Sequence, residues 1–385
     1  MTVLKKSSSG LAELVACILV SAVFGTVHSF SVWLGAIELF YEASRTQASM
    51  AYGIALLSLS SAVYFGSTIY RMAPPVWIGL ASLVLGLFGL LIAVLGQNLI
   101  GLWLGFGLIF GFANGLGYGF ALQFAAIARS NSVGFAMGLI TAAYAGGAVI
   151  TPAVFGMLSA KYGPAGAMFG HGSLLVIIAP AVFLLLRRTP FGFSELSQGL
   201  TNIKFRVVLR LFVAFGAGVA PALMLISQAT EVMRAANATE FIATQVPAWI
   251  SVLLFLGALG GGVLVDKMSA RAVGALMPLG SLVSIGLVLS GDPTVVLLGL
   301  LLVGLFYGAT IAVFPAFIAN AFGSTVGTWV YGRVFISWGI AGLVAPIIAG
   351  AAFDKTGSYF LAFWMAGALA LISVIVSVLT KDIKN

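Results

Sequence analysis

Residues 262–271 read Gly-Val-Leu-Val-Asp-Lys-Met-Ser-Ala-Arg, and residues 350–357 read Gly-Ala-Ala-Phe-Asp-Lys-Thr-Gly. In both, a glycine near the end of a long apolar stretch is followed four residues on by an acidic–basic pair. Two weaker copies stand in the first half of the chain. Gly66 leads to Tyr70-Arg71 with Pro74 beyond, and Gly156 leads to Ala160-Lys161-Tyr162-Gly163. The four glycines are 90, 106 and 88 residues apart. Copies one and three lie 196 residues apart, and copies two and four 194. The repeat reaches further. Pro152 and Pro346 each stand four residues before the second and fourth glycines, and Tyr118-Gly119 matches Tyr307-Gly308 at an offset of 189. Two matching halves, each itself doubled, are the pattern expected of a secondary transporter.

Composition sets the solvent. The chain of 385 residues is 61% hydrophobic and 7% charged, against about 25% charged in soluble domains. No soluble core absorbs that much apolar surface. A spanning helix needs about 20 apolar residues, and twelve stretches qualify: 11–37, 47–69, 75–96, 99–127, 133–159, 166–186, 207–230, 241–265, 272–290, 294–320, 329–353 and 359–379. They are called spans 1 to 12 below. Period-2 alternation is absent, which argues against a membrane barrel, and lipid-exposed backbone must otherwise satisfy itself in helices. The expected fold is an all-α membrane protein, with twelve transmembrane helices in two pseudo-symmetric six-helix bundles. The longest polar stretch, 187–206, is the natural cytoplasmic linker. It divides an N-terminal bundle, 1–186, from a C-terminal one, 207–385.

The net charge of +8 reads as topology and not as a nucleic-acid signal. With the N-terminus in the cytoplasm, the inner loops and termini collect 13 lysines and arginines and the outer loops 4, leaving Arg333 within a span. The positive-inside rule then puts both termini in the cytoplasm, and a multi-pass protein of the plasma (inner) membrane is expected. Cys17 is the one cysteine, and the two histidines lie on different spans, so neither a disulfide nor a metal site is expected. No phosphate-binding G-x-x-x-x-G-K-[ST] occurs. No cofactor is expected, and pumping would draw on a solute or ion gradient.

At Gly262-x-x-x-Asp266-Lys267-x-x-x-Arg271 the chain resembles the major facilitator superfamily, whose signature loop joins the second and third helices of each half. Ser31-Val32-Trp33-Leu34 followed by Ser44-Arg45-Thr46 resembles its monocarboxylate porter and oxalate/formate antiporter branch. So do Tyr331-Gly332 leading to Gly339-x-x-Gly342-x-x-x-Pro346, and Phe353-Asp354-x-x-Gly357-Ser358-Tyr359. The resemblance implies two halves that rock about a central site, with Arg71, Asp266, Lys267 and Arg271 gating the inner side and Asp354 and Lys355 the outer. The first-half loop departs from the pattern, with Tyr70 in place of an aspartate, so the inner lock is expected to be carried mainly by the second half. The cavity cations of the oxalate/formate branch are also missing, with Ala258 and Trp338 in their places.

Ionisable groups within spans are costly and default to function. Arg333 lies about four residues into span 11, about 12 Å inward of its centre at 1.5 Å per residue. It can neutralise an anion or snorkel to the cytoplasmic face. His28 in mid-span 1 is a candidate proton switch or hydrogen-bond donor. His171, near the outer end of span 6, reads as a packed, satisfied histidine. Asn114, Tyr118 and Gln123 along span 4, with Tyr144, Tyr307 and Trp338, offer a polar and aromatic lining whose members correspond by the repeat. The glycine stripe Gly107, Gly111, Gly115 and Gly119 serves close helix packing or a sliding contact.

The function expected is secondary transport of a small organic solute, a monocarboxylate-like anion first and a neutral or aromatic metabolite second. A coupling proton or counter-solute, a bilayer and a monomeric unit go with it. A non-transporting sensor of the same fold is the weaker reading. An intramembrane enzyme lacks a nucleophile–base pair or metal motif.

Overall fold

The computed structural model describes residues 10–194, 203–268 and 270–379; a few side chains inside these ranges, Arg271 and Asp354 among them, lie outside the description. Among the described residues there are helices and no strands. Span 1 is α1 (Leu11–Gly25), a 3-10 turn (Thr26–Trp33) and α2 (Leu34–Phe40). Spans 2 and 3 are α3 (Arg45–Ile69) and α4 (Pro75–Gly96). Span 4 is α5 (Leu99–Leu102), a π-helical stretch (Trp103–Phe110) and α6 (Gly111–Ala128). Spans 5 and 6 are α7 (Val133–Tyr162) and α8 (Pro164–Leu186). Next come α9 (Phe205–Ile226), the short α10 (Ala229–Ala235), α11 (Glu240–Lys267) and α12 (Ala270–Val288), then α13 (Pro293–Thr356) and α14 (Phe360–Leu379).

Among the described residues, ten helices are long and apolar enough to cross a bilayer. One of them, Pro293–Phe353, is 61 residues long and carries both spans 10 and 11. It turns at Gly323, whose φ of 75° lies in the left-handed region, where glycine pays no Cβ penalty. The shorter apolar helix Leu276–Val288 supplies span 9. Counting the long helix twice and the short one once gives twelve spans. Residues 195–202 of the expected linker lie outside the described residues.

Local chemistry sets the ends. Ser44 and Gln47 form a reciprocal capping box at the start of α3, which satisfies two otherwise orphaned amides. Asp292 accepts from the amides of Thr294 and Val295 at the start of α13. Proline at the first position opens α4, α8 and α13, where its missing N–H costs nothing.

The glycine stripe of span 4 lies along span 2. A Cβ on Gly115 would stand 2.0 Å from the Leu59 carbonyl oxygen, and one on Gly111 would stand 2.6 Å from that of Ala55. Span 10 repeats the arrangement on span 8, where a Cβ on Gly308 would meet the Leu254 carbonyl oxygen at 2.0 Å. Bare backbones in contact are how helices gain packing energy in lipid, where the tails are as apolar as leucine.

Gly115→Val and Gly308→Val should each cost about 1–3 kcal/mol through overpacking, read as a lowered Tm in detergent. Gly350→Ala, where nothing lies within 4 Å, should not lower the Tm, since alanine is the better helix former.

Candidate functional site

Four of the candidate lining residues meet in the first half of the chain. Tyr144 on α7 donates to Asn114 Oδ1 on α6 at 2.9 Å. The Asn114 amide donates to the Phe24 carbonyl oxygen at the end of α1, at 2.8 Å. The Tyr118 and Tyr144 rings are 4.7 Å apart. His28 stands edge-on to Tyr144 at 5.4 Å, and its Nδ1 lies 2.5 Å from the Tyr52 hydroxyl. In the second half, Trp338 donates from Nε1 to the Tyr307 hydroxyl at 2.9 Å and stacks on Phe335 at 5.1 Å. Phe335 reaches Tyr118 at 6.1 Å. One aromatic layer therefore runs from His28 and Tyr52 through Tyr144 and Tyr118 to Phe335, Trp338 and Tyr307. Asn114, Tyr118, Tyr144, Tyr307 and Trp338 are buried, while His28 and Tyr52 are half-buried.

Gln123 lies outside this layer, about a turn beyond Tyr118 along α6. Its Oε1 accepts from Thr328 Oγ1 at 3.1 Å, and its Nε2 has no partner. Arg333 is set to one side. Its guanidinium stacks over Trp329 at 3.4 Å, lies 4.9 Å from the centre of the Tyr64 ring, and donates to the Trp329 carbonyl oxygen at 3.1 Å. The helix turn explains this: Tyr331, Phe335 and Trp338 share the buried face, and position 333 points away from it.

The Asp266 end of the seam is closed. Asp266 accepts from the Gly134 amide at 2.8 Å and the Phe135 amide at 2.9 Å. These are orphan donors at the start of α7, whose N-cap Ser132 makes no side-chain cap. The carboxylate of one helix thus caps another, with the dipole sign in its favour. Glycines permit the approach. A Cβ on Gly134 would lie 2.4 Å from the Gly262 carbonyl oxygen, and one on Gly138 would lie 2.8 Å from that of Ala258. Toward the other end the fit relaxes: a Cβ on Gly146 meets only Phe255, at 3.5 Å.

Sequence reasoning assigned this lock mainly to the second half, and the structure adds a first-half contribution. Arg71 donates from Nε to the Ser194 carbonyl oxygen at 2.7 Å and from Nη2 to that of Thr325 at 3.1 Å. Its neighbour Tyr70 is buried against Phe120 and Phe193. The arginine thus ties the first-half loop to the second half through backbone. Lys267 and Lys355 are exposed. The side chains of Arg271 and Asp354 lie outside the described residues.

Three further residues escaped the sequence reading. Tyr52 and Phe335 complete the layer. Glu13, in the first turn of α1, is buried and accepts from Thr189 Oγ1 at 2.8 Å. Phe335 stands three residues before Trp338 and was findable from that spacing; the other two carry no sequence signal of their partners.

With twelve spans, a buried aromatic layer and a seam closed at one end, the architecture matches solved structures of one fold. The chain has the major facilitator fold. The outward-conformation crystal structure of the major facilitator transporter FucP aligns with a TM-score of 0.72 at 15% identity, covering 97% of this chain and 100% of that one. The proton:xylose symporter XylE, bound to a bromodeoxyglucose, aligns with a TM-score of 0.77 at 12% identity over 96% and 95% of the two chains. A variant of the E. coli fucose:proton symporter FucP aligns at 0.69 and 18% identity. No family model matches the sequence, and no curated protein matches it.

Removing the Asp266 cap should loosen the closed end. A cap is worth about 1 kcal/mol, so in a Cys17→Ser, Ala142→Cys background, Asp266→Ala should raise thiol labelling of position 142 by about fivefold, since 1.4 kcal/mol is tenfold. An unchanged labelling rate would show that the cap does not hold the seam.

Proposed function

We propose that this protein is a secondary transporter that moves a small organic solute across the membrane by alternating access. The first half (1–186) and second half (207–385) would rock about the aromatic layer, with the 187–206 segment as tether. The observation that carries this reading is the buried aromatic layer itself, contributed by corresponding residues of the two halves and lying beyond a seam that hydrogen bonds and glycine contacts close at one end.

The lining favours a neutral or amphipathic solute with a flat face. Asn114 and the hydroxyls of Tyr144 and Tyr307 offer hydrogen bonds, and the rings offer stacking surface. No charged side chain enters the layer among the described residues. FucP and XylE, named as carriers of the neutral sugars fucose and xylose, share the fold and lend this reading support by analogy. The monocarboxylate-like anion is the second reading. Arg333 favours it: the guanidinium is half-buried, faces aromatic rings, and has no carboxylate against it among the described residues.

Uptake of labelled solutes into proteoliposomes, with and without a pH gradient, separates the two. Tyr144→Phe and Trp338→Phe should each reduce uptake of the neutral solute about tenfold, the worth of one buried hydrogen bond lost with its partner left unpaired. Arg333→Ala should leave it unchanged. Abolition of anion uptake by Arg333→Ala would establish the second reading instead, and no uptake of either class would refute both.

A further inference from the structure

His171 on α8 is buried, and both of its ring nitrogens face carbonyl oxygens. Nδ1 lies 3.0 Å from the Ala167 oxygen one turn earlier on the same helix. Nε2 lies 3.1 Å from the Thr26 oxygen on span 1. Neutral imidazole carries one N–H and one lone pair, whereas imidazolium donates from both nitrogens. Two acceptors at hydrogen-bond distance therefore match the cation. In the neutral ring, one lone pair would face a carbonyl lone pair.

The surroundings fit the same charge. Phe155 on α7 lies 4.1 Å away with its plane tilted by 32°. Phe110 of the π-helical stretch stands at 5.8 Å with its plane at 87° to the imidazole, so the facing ring is that of Phe155. Ring faces within about 6 Å attract a cation. Trp33 and Phe106 lie further out, at 6.3 and 6.5 Å and steeply inclined. No titratable or charged side chain faces His171 from spans 1, 3, 4 or 5 among the described residues. The nearby His28 turns to Tyr52 instead. Burial penalises any cation, and the two carbonyls and the Phe155 face work against that penalty.

The second acceptor sits where span 1 changes geometry. Thr26 opens the 3-10 turn between α1 and α2, where the regular ladder of hydrogen bonds is interrupted and a carbonyl can take an outside donor. His28, of the aromatic layer, is two residues on.

We propose that His171 is a proton-binding site whose charged form staples span 6 to the break in span 1. Losing the proton removes one of the two hydrogen bonds, and the ring can then keep Ala167 or Thr26 but not both. The staple adds a place for a coupling proton to the transport reading, yet its protonation is observable in a protein that moves nothing.

The chain holds two histidines, so His28→Gln leaves His171 as the single source of imidazole signals. Nitrogen-15 NMR of that variant, labelled on histidine, would be followed from about pH 8 to about pH 5, the window in which histidines ordinarily titrate. The expected result is a ring with both nitrogens protonated at the acid end. The Tm of His28→Gln should also rise on acidification, and the further change His171→Gln should abolish that rise. One bare nitrogen persisting at the acid end, in folded protein, would overturn the proposal. If the double variant fails to fold, the nitrogen signals of the single variant decide alone.

Discussion

The structure depends on close backbone approach between helices in a solvent that offers no hydrophobic drive to bring them together. Glycine at the contact is the physical condition for it. Where glycines line a seam, an amide or a carboxylate of one helix can reach the backbone of another. Gly134, Gly138 and Gly262 bring α7 and α11 so near that Asp266 caps a helix other than its own. The same approach sets span 4 on span 2 and span 10 on span 8. The bonds at the closed end are few and partly exposed. Each is worth about 1 kcal/mol, which suits the breaking and re-forming that the proposed alternating access asks of this contact.

Charge is kept out of the middle and used at the edge. The central layer is built from rings, an amide and hydroxyls that satisfy one another: Tyr144 to Asn114, Asn114 to the Phe24 carbonyl, Trp338 to Tyr307. A solute entering there would exchange its hydrogen bonds with water for these, which are already oriented. Arg71 and Asp266, in contrast, sit where span ends meet loops. Both take backbone groups as partners, so the lock needs no matching side chain on the opposite half.

Much of the fold was legible because bilayer thickness writes span length directly into the sequence. The paired residues were legible because duplication preserves register: Tyr118 with Tyr307, and Tyr144 with Trp338. Other features left no trace. Arg71 bonds to carbonyls that any residue would supply. The break in span 1 comes just after α1 meets the backbone of α7 at Tyr144 and Gly147, a contact that no run of apolar letters between 11 and 37 reveals. Arg333 was legible as an intramembrane charge, but its direction depends on the helix turn that places Trp329 and Tyr64 beside it. Gln123 shares a helix with Tyr118 yet pairs with Thr328, a residue 205 positions away.

The central claim is that the seam between α7 and α11 closes and opens at the Asp266 end. Spin labels at Asn131 and Met268, in a Cys17→Ser background, flank that end, and the distance between them measured by pulsed electron resonance reports on it directly. The account predicts a short and a long population whose balance shifts when a transported solute or a pH gradient is applied. One short distance, unchanged under every condition, would contradict it.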